Sequence, residues 1–527
     1  MLFSRQLFLI HSIWILTVAW VEAAPGLTRI TATPQTLYLE GETDGSMLQV
    51  VERPPGTQGV GLATPTFKLG IRSRFEVALP RFDQGRDRLY SSFQTTRGEE
   101  GIGPIRFVDT LRGLSKNTDP FPASTSKKGL QVQMLDDALE LGVQHAALNL
   151  NFSQLVETHA KPGSLAWTSG ARTFHFNSDY TAGMDHQIKT LSDRGVVVSL
   201  ILLVYKSGDA AQNRVLLHPS YDPACPNHLG AFNTVTPEGA EQFIASLEFL
   251  AARYCASNYP YGRAANFILG NEVNSHWFWS NRGRCTMEEF ANDYGVALRL
   301  AAMAVRKTSS SARVYVSLEH HWNIRYPGGD DRQTFAGRTF LEYLHRRGVE
   351  QGDFEWHVAF HPYPENLFEC RTWNDQSATE KPDSPRITFK NLRILTDLLT
   401  TSPWKYDPPP NESYGRRVRR VILSEQGFHC ADTPAGELWQ AAAYAYAYRK
   451  AAINPGIDAF ILHRHVDHAH EGGLNLGLWT HKKESIADPD RKRPMYEVFK
   501  QADQKGWESA FEFALPVIGI KSWSELK

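Results

Sequence analysis

No C-x-x-C pair occurs among the five cysteines, Cys225, Cys255, Cys285, Cys370 and Cys430, so the usual thiolate zinc site has no ligands here. The thiols are odd in number and widely spread. An oxidising compartment permits one or two disulfides, and at least one thiol stays unpaired within the chain. A Walker-type phosphate loop and a G-x-S-x-G nucleophile elbow are both missing, which removes the ordinary signals of phosphoryl transfer and serine-esterase chemistry. No nucleotide loop or other cofactor motif is present, and no cofactor is expected. H-E-x-x-H is absent as well. An excess of charge of one sign is also lacking: 56 Lys+Arg against 57 Asp+Glu leave a net charge of -1. Without a basic surplus to hold phosphates, nucleic acid is not the expected partner. Beyond the N-terminal segment no stretch approaches the ~20 apolar residues of a spanning helix, so stable membrane insertion is not expected. Oligomeric state leaves no mark in the sequence.

What is present begins with a leader-like segment. Arg5 supplies positive charge, Leu7 to Trp20 is mostly apolar, and Val21-Glu22-Ala23 offers small residues for cleavage near Ala23 or Ala24. Residues 1–24 therefore read as an export signal, placing the mature protein in the periplasm or outside the cell, with an uncleaved anchor as the alternative reading. The 13 Trp and 19 Tyr are plentiful; flat rings suit sugars, but large core side chains are the more ordinary use of such rings.

Residues 25–100 read as a β-rich, sandwich-like module. Thr28 to Thr33 and Phe75 to Leu79 alternate polar and apolar residues, and Pro54-Pro55-Gly56, Gly59 and Gly61 punctuate them. The rhythm then changes. A helical stripe (Val132, Leu135, Leu139, Leu141) closes at Gly142. After it, short apolar runs alternate with helices: Ala146–Phe152, Val196–Val204, Phe267–Gly270, Val314–Leu318, Trp356–Phe360, Val421–Leu423 and Ile457–Leu462. Thr236-Pro237, the capping box Thr286 to Glu289, and Thr433-Pro434 open three of the helices. Seven strands plus an uncertain first, with Ile105–Val108 as one choice for it, make an α/β chain: a (β/α)8 TIM barrel over residues 101–510. A tail, 511–527, packs on the barrel or on the module.

Chemistry in such a barrel sits at the C-terminal strand ends. Two apolar runs end in a carboxylate, Gly270-Asn271-Glu272 and Ser424-Glu425-Gln426-Gly427. If the uncertain strand counts as the first, Glu272 ends the fourth strand and Glu425 the seventh, on opposite sides of the mouth. Cleaving a glycosidic bond requires such a pair, one acid to protonate the departing oxygen and one carboxylate to attack the anomeric carbon or activate water. Glu319 is a third strand-end carboxylate and the rival for either role.

Asn-Glu after the fourth strand and Glu after the seventh resemble clan A of the retaining glycoside hydrolases, and the chain resembles a family catalogued only as a domain of unknown function. That resemblance implies Glu272 as acid/base, Glu425 as nucleophile, Asn271 on the sugar 2-hydroxyl, Tyr363 on the nucleophile's oxygen, and a poly- or oligosaccharide as the partner. The clan's Trp after the eighth strand is not in place: His463-Arg464-His465 stands there, with Trp479 later. His361, His320, Trp322, His463 and Trp479 complete the expected sugar-binding set, and Trp277 is a further cleft residue.

Two other readings stand beside this one. A barrel of this build can bind carbohydrate without cleaving it. Alternatively, His463, His465, Asp467, His468 and His470 suit a metal and a metal-dependent hydrolase or lyase, although no metal is assigned to the site. Lys206, Arg325, Arg464 and the histidines suit a sulfated or uronic sugar by charge alone.

Overall fold

The computed structural model describes residues 25–57, 74–407 and 416–526. The leader segment, Gly59, Gly61 and the Pro408-Pro409-Pro410 link lie outside the described residues.

Eight parallel strands close into a barrel with helices between most of them: a TIM barrel. In chain order they are β1 (Lys128–Gln131), β2 (His145–Asn151), β3 (Val197–Leu203), β4 (Ala264–Leu269), β5 (Arg313–Glu319), β6 (His357–His361), β7 (Val421–Leu423) and β8 (Ile457–Leu462). β8 closes on β1 through Lys128–Phe460 and Leu130–Leu462. β3 is buried at every position, as a strand covered on both faces must be.

The first strand corrects the sequence reading. Ile105–Val108 falls at the end of the Glu100–Phe107 strand, which pairs with Ser92–Arg97 in the N-terminal module. The helical stripe beginning at Val132 is shorter than it looked. Lys128–Gln131 is β1, and the helix is Leu135–Glu140, ended by Gly142 at φ 68°. A four-residue strand with one charged and one small residue has too little apolar periodicity to stand out from the helix beside it. The expected strand numbering of the two glutamates is unchanged.

The N-terminal strands form a four-stranded sheet (Arg74–Pro80, Thr36–Glu42, Gly26–Ala32, Thr110–Leu111) and a three-stranded sheet (Gln49–Arg53, Ser92–Arg97, Glu100–Phe107). A boundary at residue 100 therefore cuts through a strand. The module meets the barrel helices Pro237–Tyr254 and Met287–Thr308 towards their C-terminal ends. There Tyr90 OH donates to Glu248 Oε1 at 2.6 Å, and Lys307 Nζ reaches Glu248 at 2.6 Å and Asp87 at 3.1 Å. Those helix ends lie opposite the mouth, while Gly56 sits against Thr236 and Pro237 at the start of the first helix, so the module runs along the flank of the barrel. The tail packs on the Pro434–Ala452 helix, with Phe511 edge-on to Tyr444 and Tyr448. All five cysteines are buried and free. No helix among the described residues is long and apolar enough to cross a membrane.

Candidate active site

Side chains alternate along a strand, and in the barrel the inner set includes Ala147, Ile201, Ile268, Tyr315, Ala359, Ile422 and Ile461, packed into one cluster. Two residues further along each strand, the same inward register carries Asn149 (β2), Ser317 (β5), His361 (β6), Ser424 (after β7) and His463 (after β8). The apolar plug thus gives way to a polar floor at the C-terminal mouth.

Glu272 enters that floor through an unusual turn. Gly270 has φ 74°, and Glu272 itself sits in the left-handed region at φ 41°, where a non-glycine residue is strained. The turn is pinned by Glu272 N–H donating to Ser317 Oγ at 3.0 Å and by Ser275 N–H donating to the Glu272 carbonyl at 2.8 Å. His361 links the two glutamate strands. Its Nδ1 lies 2.9 Å from Glu272 Oε1 and its Nε2 lies 3.0 Å from Ser424 Oγ. Glu425 accepts from Tyr363 OH at 3.2 Å on Oε1 and from Gln131 Nε2 at 3.1 Å on Oε2. A carboxylate oxygen of Glu272, a ring nitrogen of His361 and a carboxylate oxygen of Glu425 all lie within 4.8 Å of one another. Among the described residues neither glutamate is paired with Arg or Lys.

The surroundings push the two carboxyls apart. Burial raises Glu272 above the ordinary glutamate range; contact with His361 offsets part of this, and the charges of Glu425 and Glu319 add to it. Burial acts on Glu425 in the same sense, but His463, His361 and the Gln131 amide outweigh it and hold the group below its usual value. The surroundings favour the proton on Glu272 over Glu425, the direction in which an acid and a nucleophile must differ. His361 is raised because Glu425 and Glu272 more than compensate for its burial.

The rival Glu319 has a different place. Asn274 Nδ2 and Ser275 Oγ donate to one oxygen, at 2.6 and 3.0 Å, and His321 N and Nδ1 lie 2.8 and 2.6 Å from the other. Although buried, it is held down to about 2 by His321, His320 and these hydrogen bonds. All four contacts are structural, and two come from the turn that follows Glu272, so Glu319 clamps the acid's loop.

The remaining expected residues divide. Asn271 is half-buried at the turn and makes no side-chain hydrogen bond among the described residues. His320 is buried behind Tyr363, with Nδ1 2.9 Å from its carbonyl oxygen, so it holds backbone and does not line the cleft. Trp322 is 1% exposed and edge-on to Phe360, a core side chain unable to meet a sugar. Trp277 is buried too, and Trp279 instead is half-buried and packs against the inner barrel cluster, as Tyr205 does. Trp479 donates to Asp137 at 3.0 Å and stands edge-on to Tyr496. His463 reaches the site through Gln131 Oε1 at 2.7 Å.

The histidine loop does not assemble a metal site. His465 lies 2.7 Å from Asp137, and Asp467 is buried against Arg493. Among the described residues, the groups whose ligand atoms converge are Glu319-His320-His321 and Glu272-His361-Glu425. The expected cations for an anionic sugar are mostly engaged internally, Arg464 with Glu471 and Arg325 with the Gly329 carbonyl.

Gln131, Asn149, Tyr205 and Trp279 were not anticipated. Gln131 was hidden by the misplaced first strand. Asn149 carried a signal: in Ala147-Leu148-Asn149-Leu150-Asn151 a polar residue occupies the inward set, and in the structure it is exposed within a strand whose neighbours are buried.

The fold and the strand-end glutamates define a TIM barrel with an acidic mouth. The chain belongs to the family of unknown function DUF5722, whose match spans residues 120–526. No curated protein matches it. Among solved structures it is similar to a family 39 glycoside hydrolase from Bacteroides cellulosilyticus (13% identity, 90% of this chain and 81% of that one, TM-score 0.44). It is also similar to a hyperthermophilic beta-glucosidase from Pyrococcus furiosus (14%, 73% and 86%, 0.41) and to a beta-glucuronidase from Bacteroides uniformis (11%, 92% and 50%, 0.37).

Proposed function

We propose that the protein is an exported glycoside hydrolase that cleaves an O-glycosidic bond of a poly- or oligosaccharide with retention of configuration. The observation that carries this reading is the pair Glu272 and Glu425, with carboxylate oxygens within 4.8 Å of each other and proton affinities driven in opposite directions. A separation near ~5 Å suits a covalent double displacement, whereas inversion needs roughly 6.5–9.5 Å to admit a water.

In the first step Glu272 gives its proton to the departing oxygen while Glu425 attacks the anomeric carbon and forms a glycosyl ester. Tyr363 and Gln131 orient the attacking carboxylate through one oxygen each. In the second step Glu272, now ionised, takes a proton from water, and that water displaces Glu425. Asn271 meets the sugar 2-hydroxyl, while Asn149, Tyr205 and Trp279 form the wall across from Tyr363. The leader at residues 1–24 supports export, and the β-rich module flanks the barrel along the Pro237–Tyr254 helix.

A glycan-panel screen followed by Glu425→Ala tests the assignment. Turnover is expected to be lost with folding intact, and azide is expected to restore it by occupying the vacated place and giving a glycosyl azide of inverted configuration. An unimpaired Glu425→Ala enzyme ends the assignment; glycan binding with no hydrolysis across the panel replaces it with a binding barrel. Because Glu272, His361 and Glu425 can also offer three ligand atoms to a cation, activity is expected to survive a chelator, and loss restored by added zinc or calcium points to a metal-dependent enzyme instead.

A further inference from the structure

The end of β8 carries His463, and its partners constrain its charge. The Gln131 amide nitrogen lies 3.1 Å from Glu425 Oε2 and 3.3 Å from the Ser424 carbonyl oxygen, both acceptors only, so the NH2 end of the amide must point there. The Gln131 oxygen therefore faces His463 Nδ1 at 2.7 Å, and that nitrogen must carry a hydrogen. The other ring nitrogen, Nε2, faces Glu471 Oε1 at 3.4 Å. A bare Nε2 would set its lone pair against a carboxylate; a protonated one makes an ion pair. Glu471 is fixed in turn by Arg464 on its second oxygen, and it stays ionised: burial is outweighed by His463 and Arg464, which hold it down to about 2.

We infer that Glu471 keeps His463 as an imidazolium, and that this cation, acting through Gln131, orients the Glu425 carboxylate and keeps it ionised. The inference rests on the proposed role of Glu425 and adds two positioning residues, His463 and Glu471, to it. A neutral amide is an apt intermediary. Anchored at both ends, Gln131 cannot flip, so Glu425 Oε2 is held to a single donor direction while Tyr363 fixes Oε1. The charge is near enough to favour the carboxylate over the acid, yet no cation touches the nucleophile to blunt its attack. The charged and titratable groups around His463 are Glu471, Arg464 and His468 on its own loop and Glu425 from β7. Beyond Gln131, His361 and Tyr363 stand on the β6 side.

Glu471→Gln and His463→Gln test the relay by two independent readouts. The first is the long-range proton–nitrogen spectrum of histidine-labelled protein, in which His463 is assigned by its disappearance in His463→Gln. Both ring nitrogens are expected to be protonated in the wild type at neutral pH, and Glu471→Gln is expected to return the ring to the neutral tautomer with only Nδ1 protonated. The second is the pH profile of kcat/KM on the aryl glycoside selected by the glycan screen. Losing the cation is expected to move the acidic limb upwards by about half a pH unit or more, the scale of one nearby charge in a partly solvated site. The plateau is expected to fall roughly tenfold as Gln131 loses its anchor. A merely structural role would lower the plateau and the melting temperature and leave the limb in place. A neutral His463 ring in the wild type, or an unmoved limb in both variants, overturns the relay. If azide fails to rescue Glu425→Ala while the ring is cationic, the nucleophile assignment has failed; a neutral ring with azide rescue intact is the failure of the relay alone.

Discussion

Glu319→Gln offers the most quantitative check on how the acid's loop is held. The substitution keeps shape and volume but turns one carboxylate oxygen into an amide that faces donors. Glu319 accepts four hydrogen bonds, two on each oxygen. Whichever oxygen becomes the amide loses two bonds to a charged acceptor, each worth about 1.5–3 kcal/mol, part of which is offset because no charge is left buried. Linkage supplies an independent figure. The folded-state value is lowered from 4.5 to about 2, a difference worth about 3 kcal/mol. The sign follows from the direction: a depressed carboxyl contributes stability that is present above its unfolded value and lost as pH falls through its folded one. Urea unfolding of wild type and Glu319→Gln, followed by tryptophan fluorescence, is expected to differ by about 3 kcal/mol at neutral pH, with the gap closing on acidification towards the folded value. A difference below about 0.5 kcal/mol, the scale of an ordinary surface substitution, refutes the clamp. So does a gap that ignores pH. Azide is not expected to rescue any loss of activity in this variant, since Glu319 faces the loop and not the substrate.

The acid and the nucleophile set the pH window. The nucleophile must be ionised, so activity is expected to fall as pH drops through the lowered value of Glu425. The acid must be protonated, so activity is expected to fall again as pH rises through the raised value of Glu272. Glu272→Gln is expected to remove the basic limb and lower kcat by roughly 10²–10⁴-fold; a basic limb that persists in the variant assigns the acid elsewhere. Asn149→Ala removes an exposed side chain that forms no hydrogen bond among the described residues, so the melting temperature is expected to stay put while KM rises about tenfold, the scale of one sugar hydrogen bond. An unchanged KM removes Asn149 from the sugar-binding wall.

Much of the barrel was legible from local pattern. β2 through β8 announced themselves as short apolar runs because parallel strands buried on both faces need them. The helices between were marked by caps at Thr236, Thr286 and Thr433, each of which accepts a backbone hydrogen bond in the structure. Glu272 and Glu425 stood out as a pair, because carboxylates after the fourth and seventh strands can converge across a barrel mouth; one strand-end carboxylate alone decides nothing, as Glu319 shows. β1 escaped notice because four residues including Lys128 and Gly129 carry no distinctive period, and Gln131 escaped with it.

The side-chain surroundings of the site were a different matter. Trp322 and Trp279 are equally aromatic in the sequence, yet one is sealed in the core and the other stays half-buried against the inner barrel cluster. Glu319 and Glu272 both end barrel strands, yet one is saturated by four hydrogen bonds and the other is raised by burial. Local chemistry determined that the chain would alternate strands and helices and would place carboxylates at three strand ends, because hydrophobic period and capping act over a few residues. Which carboxylates face each other, and which aromatic rings are exposed, depends on barrel closure and register, and these bring together residues hundreds of positions apart. Only the tertiary structure could decide that.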